Sequence, residues 1–181
     1  ISVPITFVFF KQHLSWPKNI NIQLARSIFL FLSTILFFYA ISVISLAESL
    51  TLAFVSPLIV TLLSAILLKE QVGYRRWTAV IIGFIGAIIV IRPGFNEISL
   101  ATFAGLGTGI AYAFYVITTR KLSSIDSPLL TLIFTGLSGA IIISIIVPFV
   151  WITPNYTQWL FLIGLAAAGT LGHFFLILSL N

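Results

Sequence analysis

Long apolar stretches alternate with short polar breaks along the whole chain. A transmembrane α-helix needs about 20 apolar residues, because unsatisfied backbone groups cannot be left in lipid. The breaks between the stretches are charged, or rich in proline and asparagine. We therefore predict six membrane-spanning helices: Ser27 to Ala47, Ser49 to Leu68, Trp77 to Ile91, Ile98 to Thr119, Pro128 to Trp151 and Gln158 to Leu180.

Two of the apolar stretches are short. Ile1 to Phe10 is interpreted as the tail of another helix. Trp77 to Ile91 is kept as a span because Arg76 and Arg92 bracket it and their long side chains can extend to both interfaces. The chain contains no methionine, begins inside an apolar stretch and stops directly after another. We expect the sequence to be truncated at both ends.

Composition supports an all-α polytopic membrane protein. Hydrophobic residues make up 60% of the chain and charged residues 7%, whereas soluble domains carry about 25% charged residues. Cysteine is absent, which excludes disulfides, thiolate metal sites and cysteine nucleophiles. The net charge of +5 would suggest nucleic acid in a soluble protein, but here the basic residues lie in short clusters between apolar stretches. We therefore predict no nucleic-acid partner.

The distribution of basic residues predicts the orientation. Of the two sets of alternating loops, one holds only Arg92. The positive-inside rule places the other set in the cytoplasm and Glu48 outside. The abundance of isoleucine is typical of an AT-rich bacterial genome, so the predicted location is a bacterial cytoplasmic (inner) membrane. The basic set consists of Lys11, Lys18, Arg26, Lys69, Arg75, Arg76, Arg120 and Lys121.

Two short motifs recur in the second half of the chain. Phe37-Phe38 followed by Ser42 recurs as Phe174-Phe175 followed by Ser179, and Val3-Pro4 recurs as Val147-Pro148. Both matches pair helices five spans apart, and because five is odd the two copies run in opposite directions. Inverted repeats of this kind recur in secondary transporters. We predict a ten-helix, five-plus-five protein in which residues 1–94 lack the first helix of one repeat and residues 95–181 lack the last two helices of the other.

A series of motifs carries a family resemblance. In order and spacing it resembles the EamA-type family of the drug/metabolite transporter superfamily, although Lys69 replaces the usual glycine before Glu70. The resemblance implies a ten-helix carrier that moves small organic compounds, such as amino acids, drugs, S-adenosylmethionine or riboflavin, without ATP. The cargo stays open. The motifs are Ala40-Ile-Ser-Val-Ile-Ser-Leu-Ala-Glu48-Ser-Leu-Thr, Ser56-Pro57-Leu, Leu67-Leu-Lys-Glu70, Trp77, Gly83-Phe-Ile-Gly86 and Arg92-Pro-Gly94.

A proline interrupts the second predicted span. Pro57, which follows Ser56, deletes a backbone hydrogen bond and frees a carbonyl about one turn earlier, near Ala53. The freed carbonyl either lines a substrate cavity or belongs to a kink that neighbouring helices satisfy. The matching proline of the resembled family favours the cavity.

Hydroxyls and aromatic rings share one face of the span Ile98 to Thr119. Thr108, Tyr112 and Tyr115 follow one another at three- and four-residue steps. This face is predicted to bind an amphipathic organic molecule, with rings that stack on a planar or cationic cargo. The alternative for Tyr115 is an ordinary position in the interfacial aromatic belt. Two series of small residues predict close-packing surfaces: Gly105, Gly109 and Ala113, and Gly164, Ala168 and Gly172.

Four further residues are candidates for cargo contact, coupling or gating. His173 is the only ionisable side chain well inside a predicted span, which suits proton coupling or substrate contact. The alternative is a neutral imidazole bonded to a backbone carbonyl. Glu48 either attracts or gates a cationic cargo or is a solvated carboxylate. Tyr39 and Ser42 are predicted to extend a polar path outward. The alternative for Ser42 is a hydroxyl that bonds back to a carbonyl of its own helix.

The candidate residues distinguish between several classes of protein. An intramembrane enzyme needs two convergent catalytic groups and a channel needs charged rings or a carbonyl filter, and neither pattern is visible. A structural or assembly membrane protein would leave the inverted repeat unexplained. We predict a secondary carrier that works by alternating access, with no catalytic residues, no cofactor and no metal. The predicted partners are a small-molecule substrate and membrane lipid, and proton coupling and a homodimer stay open.

Overall fold

A computed structural model describes residues 16–91 and 99–179 and shows seven α-helices within them. The described residues contain no β-strand. The fold is therefore all-α, as predicted. The helices are α1 (Ile20–Val43), α2 (Leu46–Ala53), α3 (Ser56–Leu67), α4 (Tyr74–Ile91), α5 (Leu100–Ser123), α6 (Pro128–Val150) and α7 (Tyr156–Ser179).

Five spans of the described chain are long and apolar enough to cross a membrane, namely α1, α2 together with α3, α5, α6 and α7. This finding confirms a multi-pass integral membrane protein. The predicted span Trp77 to Ile91 exists as the 18-residue helix α4, which begins Tyr74-Arg75-Arg76 and is not among the five. That α4 crosses the membrane stays a prediction. The predicted helix tail Ile1 to Phe10 lies outside the described residues.

The first span begins earlier than predicted. Helix α1 starts at Ile20 rather than Ser27, and the N–H of Ile22 donates to Asn19 Oδ1 at 3.2 Å as an N-terminal cap. Arg26 therefore lies inside a helix, and its prediction as a loop residue was wrong. His173 is thus joined by Arg26, in the second turn of α1, as an ionisable residue of a membrane-spanning helix. A charge was interpreted as a break in the apolar pattern although the fold buries it.

The second span is interrupted rather than bent. The sequence predicted one helix from Ser49 to Leu68, but α2 ends at Ala53 and α3 begins at Ser56. Pro57 lies in the first turn of α3, where its missing N–H costs least. Because Pro57 cannot donate, the carbonyl of Ala53 lacks its usual partner four residues on. The predicted kink is a break between two helices.

The chain divides into two compact units. The first unit contains the start of α1, up to Ile28, and the chain from Thr118 onward. In this unit α6 packs against α7. The second unit runs from Phe29 to Ile117, and there α4 packs against both α2 and α3. Each unit contains its own candidate site.

Candidate functional site

A buried arginine joins three helices in the first unit. Arg26 lies in the second turn of α1 and is fully buried. Its Nε donates to Thr119 Oγ1 at 2.7 Å, near the end of α5. Its Nη1 donates to the carbonyl oxygen of Thr131 at 3.1 Å and to the hydroxyl of Thr135, both in α6. Side-chain bonds of a single guanidinium therefore connect α1, α5 and α6.

A second buried side chain of α1 extends these contacts to the loop between α5 and α6. Gln23 is fully buried, and its Nε2 donates to Asp126 Oδ2 at 3.0 Å and to Thr131 Oγ1 at 3.3 Å. The other oxygen of Asp126 accepts the backbone N–H of Lys18 at 3.0 Å. The carboxylate fixes the orientation of the amide, because only the NH₂ group can donate to it. Gln23 Oε1 is left as a buried acceptor with no partner among the described residues.

We call this cluster the buried polar network. Charged groups buried in membrane-spanning segments are rare and usually functional. On α7, the half-buried His173 lies close enough to Arg26 for the guanidinium charge to act on it. The predicted coupling residue therefore has a cationic neighbour that the sequence did not reveal. The network consists of Gln23, Arg26, Thr119, Asp126, Thr131 and Thr135.

Most of the network was not among the predicted site residues, although the spacing of its members left a signal. Gln23 and Arg26 are three residues apart, and Thr131 and Thr135 are four apart, so each pair shares one helix face. Polar pairs at helical spacing at the ends of two spans indicate a polar contact between helices. The partner of each pair could not be identified, because the bonded residues are 93 to 109 positions apart in the chain.

Two glycines of α5 allow a close approach to the helix break in the second unit. A Cβ added at Gly109 would lie 2.5 Å from Val55 Cγ1 and 2.8 Å from the carbonyl oxygen of Ala53. At Gly105 it would lie 2.7 Å from Leu52 Cδ1. The predicted close-packing surface on α5 is confirmed at these positions. The equivalent prediction for α7 is not met in the described chain, because a Cβ at Gly164 or Gly172 would meet nothing within 4 Å.

A cavity of about 680 Å³ lies between the interrupted span and α4. Its wall is mostly apolar and includes the rings of Phe54 and Phe84 together with Pro57. The hydroxyl of Thr51, which also lines it, bonds back to the Ala47 carbonyl at 2.6 Å. Arg76 is the one charged residue of the described chain that lines this cavity. The site suits an amphipathic molecule with a large apolar part.

The predicted polar face of α5 is largely packed. Tyr115 is fully buried, Tyr112 is half-buried, and their ring centroids are 5.5 Å apart. The hydroxyl of Thr108 donates to the Ala104 carbonyl at 3.0 Å, and the Thr108 carbonyl accepts from Ser33 Oγ at 3.1 Å. The spacing of these residues on one face is as predicted. Their role as cargo contacts stays a prediction.

The remaining predicted site residues lie near helix ends. The hydroxyl of Ser42 donates to the Tyr39 carbonyl at 2.7 Å, and both residues are exposed. Glu48 is in the first turn of α2, where its N–H donates to the capping Ser45 Oγ at 3.2 Å. Its negative charge interacts favourably with the positive end of the helix dipole. Ser56 begins α3 and is half-buried. Among the described residues, no group of three or more His, Cys, Asp or Glu could hold a metal ion.

The helices and their buried polar groups define a multi-pass membrane protein. A family model described as the EamA-like transporter family matches residues 1–92. This match covers half of the chain, and the chain belongs to that family. The motifs quoted above from Ala40 to Gly86 lie within the matched residues, and Arg92-Pro-Gly94 begins at their last residue.

Several curated proteins are similar to the chain. It is 35% identical over 125 residues to a riboflavin transporter of Vibrio cholerae, covering 65% of the chain and 40% of that protein. It is 22% identical over 177 residues to an S-adenosylmethionine uptake transporter of Rickettsia felis, covering 98% and 60%. It is 26% identical over 164 residues to the pseudopaline exporter CntI of Pseudomonas aeruginosa, covering 88% and 57%. The chain thus spans about half the length of these relatives, and no solved structure matches it.

Proposed function

We propose that the chain is part of a secondary carrier that moves a small organic metabolite or drug-like compound across a bacterial inner membrane by alternating access. The observation that carries this proposal is the cavity of about 680 Å³ beside the helix break of an EamA-family membrane protein. Small-molecule sites typically enclose about 300–1,000 Å³ behind mostly apolar walls. Membership in a transporter family argues against the alternative of an intramembrane enzyme.

The chemistry of the wall favours a planar cargo with a polar end. Phe54 and Phe84 offer faces on which a ring can stack, and Arg76 offers a hydrogen-bonding cation. Riboflavin and S-adenosylmethionine, named in two of the relatives, both contain fused aromatic rings attached to a polar tail. Riboflavin-like and S-adenosylmethionine-like compounds are therefore the first cargoes to test. Amino-acid-like and other amphipathic compounds come next.

The predicted site residues keep their roles within this proposal. Thr108, Tyr112 and Tyr115 contact cargo from α5. Tyr39, Ser42, Ser56 and Pro57 belong to the polar path and the helix break. Glu48 gates this path, and His173 contacts cargo or couples transport to protons.

The proposed full-length protein consists of two inverted EamA-like repeats. Residues 1–94 belong to the first and residues 95–181 to the second, and the family match over residues 1–92 supports the first assignment. Such repeats form the two halves that rock around a central site in secondary transporters. A homodimer is compatible with this proposal, although alternating access does not require a second copy of the protein.

Counterflow into proteoliposomes tests the carrier and its cavity together. The full-length protein is reconstituted and offered riboflavin, S-adenosylmethionine and a panel of amino acids. Gly83 lines the cavity and an added Cβ there meets nothing within 4 Å, so Gly83→Leu should fill it and weaken cargo affinity about tenfold or more. Gly139→Leu is the matched control, because Gly139 has equally open surroundings and does not line the cavity.

The outcomes separate the alternatives. Absence of counterflow for every compound would reject the carrier and favour a structural or assembly protein. Counterflow with the same affinity in Gly83→Leu and the parent protein would reject the cavity as the cargo site but retain the carrier.

Proton coupling through His173 needs a separate measurement. Transport is measured across a range of pH, with and without a pH gradient. His173→Gln should flatten the pH dependence, because glutamine keeps hydrogen bonds but does not titrate. His13→Gln is the control, since His13 is the other histidine of the chain. An unchanged profile in His173→Gln would remove this residue from the coupling proposal.

A further inference from the structure

We propose that the buried polar network is a latch, which holds the basic end of the first unit closed and opens once in each transport cycle. The basic end is the part of that unit that carries Lys18, Arg120 and Lys121. This inference rests on the proposed function as a carrier. It assigns a conformational role to Gln23, Arg26 and Asp126, which cargo binding in the cavity does not use.

Every bond of the latch that connects separate elements uses at least one side chain. Arg26 and Gln23 of α1 reach Thr119 of α5, Asp126 in the following loop and Thr131 of α6. Hydrogen bonds to an ionised partner are about twice as strong as neutral ones, and burial strengthens them further. A few such bonds are therefore sufficient to hold three chain segments together.

The same bonds suit a contact that must also open. They depend on the side-chain conformations of one arginine and one glutamine, so they break without loss of any backbone bond in α1, α5 or α6. Gln23 Oε1 is a buried acceptor without a partner among the described residues, which raises the energy of the closed state. Opening admits water to that oxygen. An apolar contact leaves no buried acceptor without a donor, so it would not favour the open state in this way.

Two alternative functions of the cluster agree less well with these contacts. A cargo site would need polar groups free to bond to cargo, whereas the donors of Gln23 and Arg26 are bonded to acceptors of the protein. A cation site would need converging oxygens, but the amide of Gln23 directs its NH₂ toward Asp126 and its oxygen elsewhere. A role in holding the helix ends together accounts for every contact of the buried polar network described above.

Single-cysteine labelling measures the opening directly. The chain contains no cysteine, and Ser27, one turn after Gln23, is 5% exposed and donates its hydroxyl to the Gln23 carbonyl at 2.9 Å. Ser27→Cys is introduced into the full-length protein in a cysteine-free background and reconstituted. A membrane-impermeant maleimide is added to either side of the vesicles in separate samples. The labelling rate then reports how often the basic end opens.

Two substitutions should loosen the latch. Asp126→Asn removes the charge from two bonds, and Gln23→Leu removes both bonds of the amide. Each should accelerate labelling of the cysteine at position 27 at least about tenfold, because the loss of one charge-assisted bond alone corresponds to that factor. Glu70→Gln is the matched control, because it neutralises a carboxylate outside the network, and its labelling rate should equal that of the parent.

The labelling rate separates the latch from the carrier, because it requires no cargo. Faster labelling in Asp126→Asn and Gln23→Leu, together with an altered counterflow rate, supports the latch. Unchanged labelling in both variants overturns it even when cargo exchanges normally. Faster labelling in a protein that exchanges no cargo rejects the carrier and with it a latch that acts in transport. Should Asp126→Asn not elute as a folded species, Thr119→Val, which removes one acceptor of Arg26, must accelerate labelling in the same sense.

Discussion

The two units hold their helices together by different kinds of contact. In the first unit, charged and amide side chains that are fully buried bond across α1, α5 and α6. In the second unit, glycines bring α5 against a helix break, and an apolar cavity lies between that interrupted span and α4. The stability of a polar network depends on each of its hydrogen bonds, whereas the stability of an apolar contact depends on how well the side chains fill the available volume. The consequence is that similar substitutions should have different effects in the two units.

The largest effect is expected for Arg26→Ala. Removal of the guanidinium leaves the acceptors on Thr119, Thr131 and Thr135 without this donor in a buried site. Each hydrogen bond to a charged group contributes about 1.5–3 kcal/mol, so the loss of several such bonds costs more than about 3 kcal/mol. We expect a corresponding fall in the free energy of unfolding, measured by denaturant titration in detergent.

The exposed Arg75 provides the control for Arg26. Its guanidinium carbon lies 5.9 Å from the centre of the Tyr74 ring, at the surface of α4. Arg75→Ala should change the free energy of unfolding by about 0.5–1 kcal/mol, the value of an exposed cation–π contact. Equal losses for Arg26→Ala and Arg75→Ala would show that the network does not stabilise the first unit.

The next effect is expected for Gly109→Ala in the second unit. The new Cβ would lie 2.8 Å from the backbone oxygen of Ala53, and backbone at the helix break cannot move as a flexible side chain would. Overpacking of this kind costs about 1–3 kcal/mol. Gly139→Ala meets nothing within 4 Å and should gain up to about 1 kcal/mol from helix propensity. The two unfolding free energies should therefore change in opposite directions, and a shared sign would contradict the tight contact.

Features of the two units that arise from residues close together in the chain could be predicted from the sequence. The spans were predictable because lipid forces each crossing segment to be apolar and helical. The interruption near Pro57 was predictable as a local consequence of the missing N–H, although the expected feature was a kink rather than the break between Ala53 and Ser56. The close approach at Gly105 and Gly109 followed from their four-residue spacing.

The buried polar network could not be predicted in the same way. The rule that charges mark loops placed Arg26 outside the first span, because a buried arginine is acceptable only with partners that sequence spacing does not identify. Its partner Thr119 is 93 residues away and Thr131 is 105 away. Asp126 lies in the loop between α5 and α6, and only the fold shows that it is 8% exposed and bonded to Gln23.

A third effect, of similar size, should show whether one bond of the network matters by itself. Thr119→Val keeps the shape of the side chain and removes the hydroxyl that accepts from Arg26 Nε at 2.7 Å. Loss of an acceptor from a charged donor costs about 1.5–3 kcal/mol. Thr34→Val is the matched control, because the exposed hydroxyl of Thr34 only donates to the Leu30 carbonyl of its own helix. Similar unfolding free energies for the two valine variants would show that this bond does not contribute measurably to the stability of the network.

The smallest difference is expected between two serines of α1 within the second unit. Ser33 is buried and its hydroxyl donates to the Thr108 carbonyl of α5 at 3.1 Å, whereas the exposed Ser42 hydroxyl donates to the Tyr39 carbonyl of its own helix. Ser33→Ala should cost about 1 kcal/mol, the typical net value of a neutral hydrogen bond, and Ser42→Ala less than about 0.5 kcal/mol. Thermal unfolding in detergent distinguishes them. If Ser33→Ala reduced stability as little as Ser42→Ala, the second unit would be held together by packing alone. The difference from the polar first unit would then be larger. A slower counterflow in Ser42→Ala at unchanged stability would instead place Ser42 on the cargo path.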